Sequence, residues 1–487
     1  MQDLIVIGGG INGVGIANDA AGRGLSVTLL EKNDLAGATS SNSSKLIHGG
    51  LRYLEHYEFR LVHEALKERE VLWSKAPHIA WPLRFRLPHQ KSGLAHRRPN
   101  WLVRLGLWLY DHLGHRVSLP STSSWKDTSG LMRADAAKGY EYSDLWVDDS
   151  RLVILNARQA QQMGADIRVR TGFVSAKDQG DHWEVVTEGP EGQQTLFAKA
   201  IVNAAGPWVD QVFSGTGRAS PHPARLVKGS HIVVPKLYDE ERAFILPNTD
   251  GRVVFVLPWL DDFSLIGTTD IEIQGDASQA TCSDEEKTYL ISACNQFFAQ
   301  QMTVDDICHS YSGVRPLMDD GDGSAQKVTR DYQLVLSEHG APLLSVHGGK
   351  LTTYRTLAQK AVDKLQRIFP SMGEQWTREA PLPGGASFDE DKLTTALLHA
   401  GLTQRTAKRW IRAYGSDALE IVRQPLGQDF GHGLFEAELR WMRDHEWAMN
   451  AEDALYRRSK MGLFLDASQQ QAVQAWFEQP LDTRLAS

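Results

Sequence analysis

"LIVIGGGINGVG", residues 4–15, constrains the fold of this chain more than any other stretch. Its first four residues are apolar and rich in β-branching, a pattern too short for a helix and suited to a buried strand. Gly8, Gly10 and Gly13 follow at G-x-G-x-x-G spacing. "INGVGIANDAAGRG" then reads as a helix of small residues closed by Gly24, and "LSVTLLEKN" as a second strand ending on Glu31. Each part has a physical task. Gly8 permits a tight turn, Gly10 lets backbone approach a pyrophosphate, and Gly13 lets the helix pack close to the sheet. The helix N-terminus takes the phosphates, and an acid about 20 residues on accepts from ribose hydroxyls. Together these parts predict a Rossmann-type dinucleotide site. Glu31 disfavours a 2′-phosphate, which leaves NAD and FAD.

The next stretch helps to choose between them. "AGATSSNSSK" is a hydroxyl-rich loop where a plain NAD domain would continue with another helix and strand. Read alone, it is a flexible linker. It runs, however, straight into "KLIHGGLRYLE", which is not linker chemistry: Gly49 and Gly50 remove bulk where a planar ligand would press on backbone, and Arg52 and Tyr53 lie just beyond. Two further strand ends carry glycine turns. "AKAIVNAAGPWVDQV" ends a strand at Ala204, Ala205 and Gly206, with Pro207 opening a helix. "APLLSVHGGKLTTYRTLAQKAVDKL" gives a strand, a Gly348-Gly349 turn, Lys350, and a helix with Thr352 and Thr353 in its first turn. It lacks the upstream glycine of a Walker motif. Three separate turns suit one long cofactor touched at several points.

In these motifs the chain resembles the FAD-dependent respiratory glycerol-3-phosphate dehydrogenases of bacteria. These belong to the wider group of flavoproteins similar to D-amino-acid oxidase. The matching segments include "ATSSNSSKLIHGGLRYLEHYEFRLV", "KGSHIVVP", "IGTTD", "YSGVRPL", "TRDY", "GGKLTTYR" and "LPGG", and they cover essentially the whole length. The resemblance implies a Rossmann-type FAD domain, α/β and α+β in class, with an antiparallel-sheet substrate domain. FAD segments are expected at about 1–74, 145–212 and 326–374, and the substrate domain at about 75–144 and 213–325. After the Pro/Gly linker in "EAPLPGGASFDED", a helical C-terminal domain is expected within 375–487.

It also implies oxidation of sn-glycerol 3-phosphate to dihydroxyacetone phosphate by hydride transfer to FAD, with ubiquinone or another membrane quinone as final acceptor. Cofactor contacts are expected from Gly8, Gly10, Asn12, Gly13, Glu31, Thr39, Ser40, Ser44, Lys45, Leu46, His48, Val174, Ala205, Gly206, Gly349, Lys350, Leu351 and Thr352. The substrate is a small dianion, so it needs cations, and arginine suits phosphate because its fork stays charged and gives paired hydrogen bonds. Arg52, Arg315 and Arg330 are the candidates, with His48, Tyr53 and Thr268 beside them. His231 is the first choice as proton acceptor, since imidazole titrates near neutral pH; Arg315 is the second and His48 the third. Lys350 is expected at the flavin's pyrimidine end, where it stabilises negative charge. Two positions depart from the family pattern: His347, where Phe usually precedes the Gly-Gly, is expected to put a titratable group near the flavin, and Ile273, in place of a usual aromatic, is expected to alter packing.

Rival readings are an oxidase of the same fold acting on glycerophosphate, an amine or an amino acid and making peroxide, and a non-catalytic flavin-binding or tRNA-modifying module. A net charge of −8 argues against a nucleic-acid surface. Three irregularly spaced cysteines build no disulfide framework, so a reducing compartment is expected, with no secretory leader. No metal is expected: "DDGDGS" lacks the closing glutamate of a calcium loop, and "HLGH" has no third ligand nearby. The oligomeric state stays open, a homodimer included.

A last stretch bears on location. In "HRRPNWLVRLGLWLYDHLGHR", residues 96–116, Trp101, Leu102, Leu105, Trp108 and Leu109 fall on one helical face, Val103, Leu107 and Tyr110 widen it, and Arg97, Arg98, Arg104 and Arg116 flank it. The stretch is too short to cross about 30 Å of hydrocarbon, but it can lie in the interface. The expectation is a peripheral protein on the cytoplasmic face of the inner membrane, held through about 96–116.

Overall fold

The computed structural model describes residues 1–51, 54, 57–89, 99–114, 119–222, 224–318 and 332–479. Its first sheet grows from the N-terminal strand, Gln2–Ile7, which pairs in parallel with Val27–Leu30 on one side and with Gly192–Asn203 on the other. Leu343–His347 continues the parallel set beyond Gly192–Asn203, and Asp166–Arg168 continues it beyond Val27–Leu30. Strands buried on both faces must be apolar throughout, and "LIVI" meets that demand. Leu4 and Val6 enter a core with the helices Ile11–Gly22, Asp149–Gln162 and Tyr354–Lys364. Ile5 and Ile7 face the opposite layer, packed by Trp183 and Val185 and by Val209 and Phe213.

The second sheet is antiparallel apart from one pairing: Arg242–Pro247 runs parallel to Ala80–Pro88. The reason is topological. Between those two strands the chain passes through the first sheet, which supplies the long crossover that a parallel pair needs. The central strand Ala224–Pro235 pairs with Phe263–Gly267 and His309–Met318. The two-residue strand Leu46–Ile47 pairs with Lys138–Val147 in this second sheet, although it lies within the expected first FAD segment.

The C-terminal domain is helical, with helices at Glu390–His399, Gln404–Tyr414, Glu436–Glu446 and Ala467–Glu478. It has its own core around Trp410, Tyr414, Leu439 and Met442. The linker that precedes it is docked on the first unit. Trp376 donates through Nε1 to the Asp19 carbonyl at 3.1 Å, and Leu382 N–H donates to the Lys75 carbonyl at 3.0 Å. Among the described residues no helix is long and apolar enough to cross a membrane.

Candidate functional site

Three neighbouring parallel strands, Gln2–Ile7, Gly192–Asn203 and Leu343–His347, end at the same edge of the sheet. Their glycine turns open into one cavity of about 840 Å³, at the carboxyl ends of the strands where open α/β sheets bind ligands. The N-terminal turn is built as its glycines require. Gly8 has φ +113°, and a Cβ on Gly13 would stand 1.8 Å from the Gly8 carbonyl oxygen. Glu31 closes this end of the cavity. Its carboxylate accepts from Gly9 N–H and Asn33 N–H, each at 2.7 Å. Burial nevertheless raises its pKa above the usual glutamate value. Lys32 lies 3.7 Å from the centre of the Trp208 ring, and both line the cavity here. Neither was expected; the "GPW" that follows the second turn was the available signal.

The serine loop covers the middle. Ser40 Oγ accepts from Ile11 N–H at 3.0 Å, and Thr39 Oγ1 donates to the Val314 carbonyl at 2.6 Å. Thr39, Ser40 and Ser44 all line the cavity, as do Asn12, Leu46, His48, Val174, Ala205, Gly206, Gly349, Leu351 and Thr352. Asn12 donates to the Gly348 carbonyl at 3.2 Å, while its buried Oδ1 accepts from no described residue. That orphan acceptor, the exposed-amide turns and the buried acid fit an FAD. Two expected cofactor contacts do not line the cavity. Gly13 packs inside the helix–sheet junction. Lys45 is turned away because its ammonium pairs with buried Asp149 at 2.8 Å and donates to the Ser41 carbonyl at 3.0 Å. Asp149 also accepts from Ser43 Oγ at 2.7 Å, so Lys45 acts as an internal tie for the serine loop.

The second sheet supplies the far wall. His231, Thr268, Arg315 and Lys350 all line the cavity. Arg315 Nη2 donates to Asp270 Oδ1 at 3.1 Å and to the Thr269 carbonyl at 3.3 Å. A Cβ on Gly229 would meet both Arg315 Nη2 and Thr268 Oγ1 at 2.6 Å, so these two groups converge on bare backbone. His231 Nε2 lies 2.9 Å from Ser44 Oγ, and its ring stacks on Tyr311 with centroids 4.9 Å apart. Burial, then the charges of Lys45 and Arg315, push the imidazole down to a pKa of about 3. His231 is therefore neutral at pH 7 and, contrary to the expectation, does not titrate near neutrality in this setting. His347, by contrast, is not a wall of the cavity. It is buried, bonds Ser345 Oγ at 3.0 Å and stacks on Phe213, and burial lowers its pKa. Ile273 is half-buried, its N–H donating to the Leu226 carbonyl at 3.0 Å. Arg52, Tyr53, Arg330, residues 319–324 and His115 lie outside the described residues.

The helix Asn100–Leu113 divides differently from the expectation. Trp101, Leu102, Leu105 and Trp108 are exposed, at 66%, 44%, 44% and 54%. Leu107 and Tyr110 do not widen that surface; both are buried against the second sheet. Tyr110 Oη accepts from Gly49 N–H at 2.7 Å and donates to the Asp144 carboxylate at 2.8 Å.

Residues 3–355 match the family model "FAD dependent oxidoreductase", and residues 375–478 match "C-terminal domain of alpha-glycerophosphate oxidase". The chain is 50% identical over 499 aligned residues to the aerobic glycerol-3-phosphate dehydrogenase of Escherichia coli strain K12, covering 100% of this chain and 99% of that protein. It is 52% identical over 483 residues to the glycerol-3-phosphate dehydrogenase of Pseudomonas aeruginosa, covering 96% and 94%. It is 49% identical over 493 residues to D-erythritol 1-phosphate dehydrogenase of Brucella abortus, covering 98% and 97%. Among solved structures, the glycerol-3-phosphate dehydrogenase of Bacillus halodurans complexed with FAD superimposes with a TM-score of 0.76 at 26% identity, over 100% of this chain and 94% of that one. The chain belongs to the FAD-dependent oxidoreductase family, in its glycerol-3-phosphate dehydrogenase branch.

Proposed function

We propose that this chain oxidises sn-glycerol 3-phosphate at its secondary alcohol to dihydroxyacetone phosphate, and that a membrane quinone takes the electrons onward. The observation that carries the reading is identity of 50% and 52%, over nearly full length, to enzymes named for this substrate. The cavity supports it, because cationic and neutral polar groups converge where the second sheet meets the third glycine turn. FAD, when bound, supplies the two-electron acceptor.

The chain's residues do the rest. Arg315, held by Asp270, presents a permanent cation toward the phosphate or the reacting oxygen. His48 and Thr268, which line the same cavity, are the proposed further substrate contacts, with Arg52, Tyr53 and Arg330, outside the described residues, assigned to the substrate by the resemblance alone. Lys350, beyond the Gly348-Gly349 turn, balances negative charge that develops on the acceptor. His231 remains the first candidate for the proton, with Arg315 second. Since the imidazole is neutral, Ser44 and His231 form an uncharged pair that can pass a proton but does not store it as imidazolium. The proposed division of the chain is FAD segments near 1–74, 145–212 and 326–374, a substrate domain near 75–144 and 213–325, and a helical domain from 375. The exposed apolar face of Asn100–Leu113 is the proposed contact with lipid, and so with quinone, on the cytoplasmic side of the inner membrane.

The test is the flavin spectrum of purified protein without oxygen, before and after addition of glycerol 3-phosphate, D-erythritol 1-phosphate or glycerol. Bleaching at the lowest concentration by glycerol 3-phosphate is expected. Bleaching by the erythritol ester alone would overturn the substrate and leave the flavoenzyme standing. Rapid recolouring in air, with peroxide formed, would favour the oxidase instead.

A further inference from the structure

The helical domain reaches back to the first unit through residues 446–460, and this segment grips the loop that carries Glu31. Asp453–Arg458 forms one π-helical turn, with Ser459 N–H donating to the Ala454 carbonyl at 3.0 Å. Such turns are rare and concentrate at functional sites. Here the turn sends two consecutive arginines to one carboxylate. Arg458 Nη2 donates to Asp34 Oδ1 at 2.8 Å, Arg458 Nη1 donates to Asp34 Oδ2, and so does Arg457 Nε. Asp34 is buried, and the two guanidinium groups hold its carboxyl below the ordinary aspartate range despite that burial. The arginines are themselves fixed. Arg458 Nε donates to the Glu446 carbonyl at 3.1 Å, and Arg457 Nη2 pairs with Asp453 at 2.5 Å.

Asp453 extends the grip to the loop's other flank. It pairs with Arg170 Nη2 at 2.7 Å, and Arg170 N–H donates to the Asn33 carbonyl at 2.8 Å. On its cavity side the same loop offers Glu31, Lys32, Asn33, Ala36, Gly37 and Ala38. Asp34 is not part of that wall; it points to the helical domain. Within the loop, Leu35 and Ala36 are packed in the core, Ala36 N–H donates to the Gly9 carbonyl at 3.1 Å and Gly37 N–H to the Asp34 carbonyl at 3.0 Å, and the grip on the Asp34 carboxylate adds the charged anchor on the side facing the helical domain.

We propose that Arg457 and Arg458 are positioning residues for the cofactor: the C-terminal domain sets the affinity for FAD by holding the Glu31 loop in the form that receives the adenosine ribose. The proposal rests on the FAD-binding reading of the Glu31 end. Its physical content is preorganisation. A loop that must be ordered on binding costs affinity that a loop already held does not. The substrate groups Arg315, Thr268 and His231 hang on the second sheet, so the effect falls on the cofactor and not on the polyol phosphate.

The test titrates FAD into protein stripped of flavin, read by quenching of flavin fluorescence, alongside steady-state kinetics at saturating FAD. Wild-type protein must rebind FAD; if it does not, the cofactor reading fails first, and separately. Arg458→Met and Asp34→Asn should each weaken FAD binding by about tenfold or more, and the double variant should be little worse than either single. Arg458→Lys should recover part of the loss. KM for glycerol 3-phosphate should stay within about twofold at saturating FAD. Arg409→Lys weakens the helical domain from inside, at the Arg409–Glu438 pair of 2.6 Å, without touching the loop. It should lower Tm and leave the FAD Kd unchanged. If Arg458→Met does not fold, Arg457→Met and Arg458→Lys, which disturb one arm of the grip, carry the same expectation at smaller size. An unchanged Kd in every foldable variant, or an equal loss of affinity in Arg409→Lys, overturns the proposal.

Discussion

Tyr110 carries two loads on one oxygen. Its hydroxyl accepts from Gly49, in the turn that follows cavity-lining His48, and donates to Asp144. Asp144 is fully buried and pairs with Arg69 at 2.9 Å, yet burial still pushes its pKa up to about 6. Removing the hydroxyl strands a buried amide and a buried carboxylate oxygen, at a cost of about 1–3 kcal/mol. Tyr110→Phe should therefore lower Tm, and should raise KM for glycerol 3-phosphate more than it lowers kcat, because the turn beside His48 loosens. Thermal melts with steady-state kinetics check this; an unaltered KM would separate Tyr110 from the site. Arg315 gives a sharper case. Arg315→Lys keeps a charge but loses the fork that meets Asp270 and the Thr269 carbonyl. A loss of about 1.5–3 kcal/mol for a charge-assisted bond corresponds to roughly 10–150-fold in kcat/KM. A change under threefold would leave Arg315 as a wall residue only. The identities of such residues were legible in the motifs, but their settings were not. Ser44 stands far from His231 in the chain, and nothing local in "KGSHIVVP" announces the burial that takes its imidazole down to a pKa of about 3.

At the scale of elements, the N-terminal strand, turn and helix were readable because their partners lie within one strand–helix–strand unit: Gly8 against nearby Gly13, and Glu31 against Gly9 22 residues before it. The helix Asn100–Leu113 was readable as amphipathic, but periodicity alone could not say which of its apolar residues face inward. Tyr110 decides that, through Gly49 and Asp144. The remaining face, Trp101, Leu102, Leu105 and Trp108, is open, with Arg104 also exposed. Tryptophan and arginine both favour the lipid interface, and anionic lipid adds roughly 1 kcal/mol per nearby cation. Wild-type protein should pellet with anionic liposomes, and salt should release it only in part. Trp101→Glu with Trp108→Glu should abolish pelleting and quinone reduction and leave activity with a soluble dye acceptor. Since both side chains are exposed, loss of dye activity as well would mean that the helix supports the fold and not a lipid contact.

At the scale of the whole molecule, the C-terminal domain was legible as helices and illegible as a partner, because Arg458 meets Asp34 across a separation of 424 residues. The seam between this domain and the first unit also holds a titratable group that no motif points to. His78 is fully buried, with its ring against Phe388 and close to Gly384 and Gly415, and neither ring nitrogen bonds to a described residue. Burial, together with the charges of Arg151, Arg158 and Arg412, lowers its pKa to about 3. The sign of the consequence is fixed. Below pH 6.5 the unfolded chain takes a proton on this histidine and the folded chain does not, so stability falls as pH falls. The slope is about 1.4 kcal/mol per pH unit for each such group, and His231 adds a second with the same sign. Asp144, raised to about 6, opposes them over part of the range by binding a proton in the folded state. Asp34, Asp148 and Glu446, all lowered, begin to lose their contribution as pH falls through the unfolded values of 3.8 for aspartate and 4.5 for glutamate, so at pH 5 most of it is still present. His78→Leu, of similar volume, should match the wild type in Tm near pH 7.5 and exceed it by about 2 °C at pH 5, where the wild type has lost about 2 kcal/mol through this residue. Melting curves for the two proteins that run parallel from pH 7.5 to pH 5 would remove His78 as the acid-sensitive point of the seam.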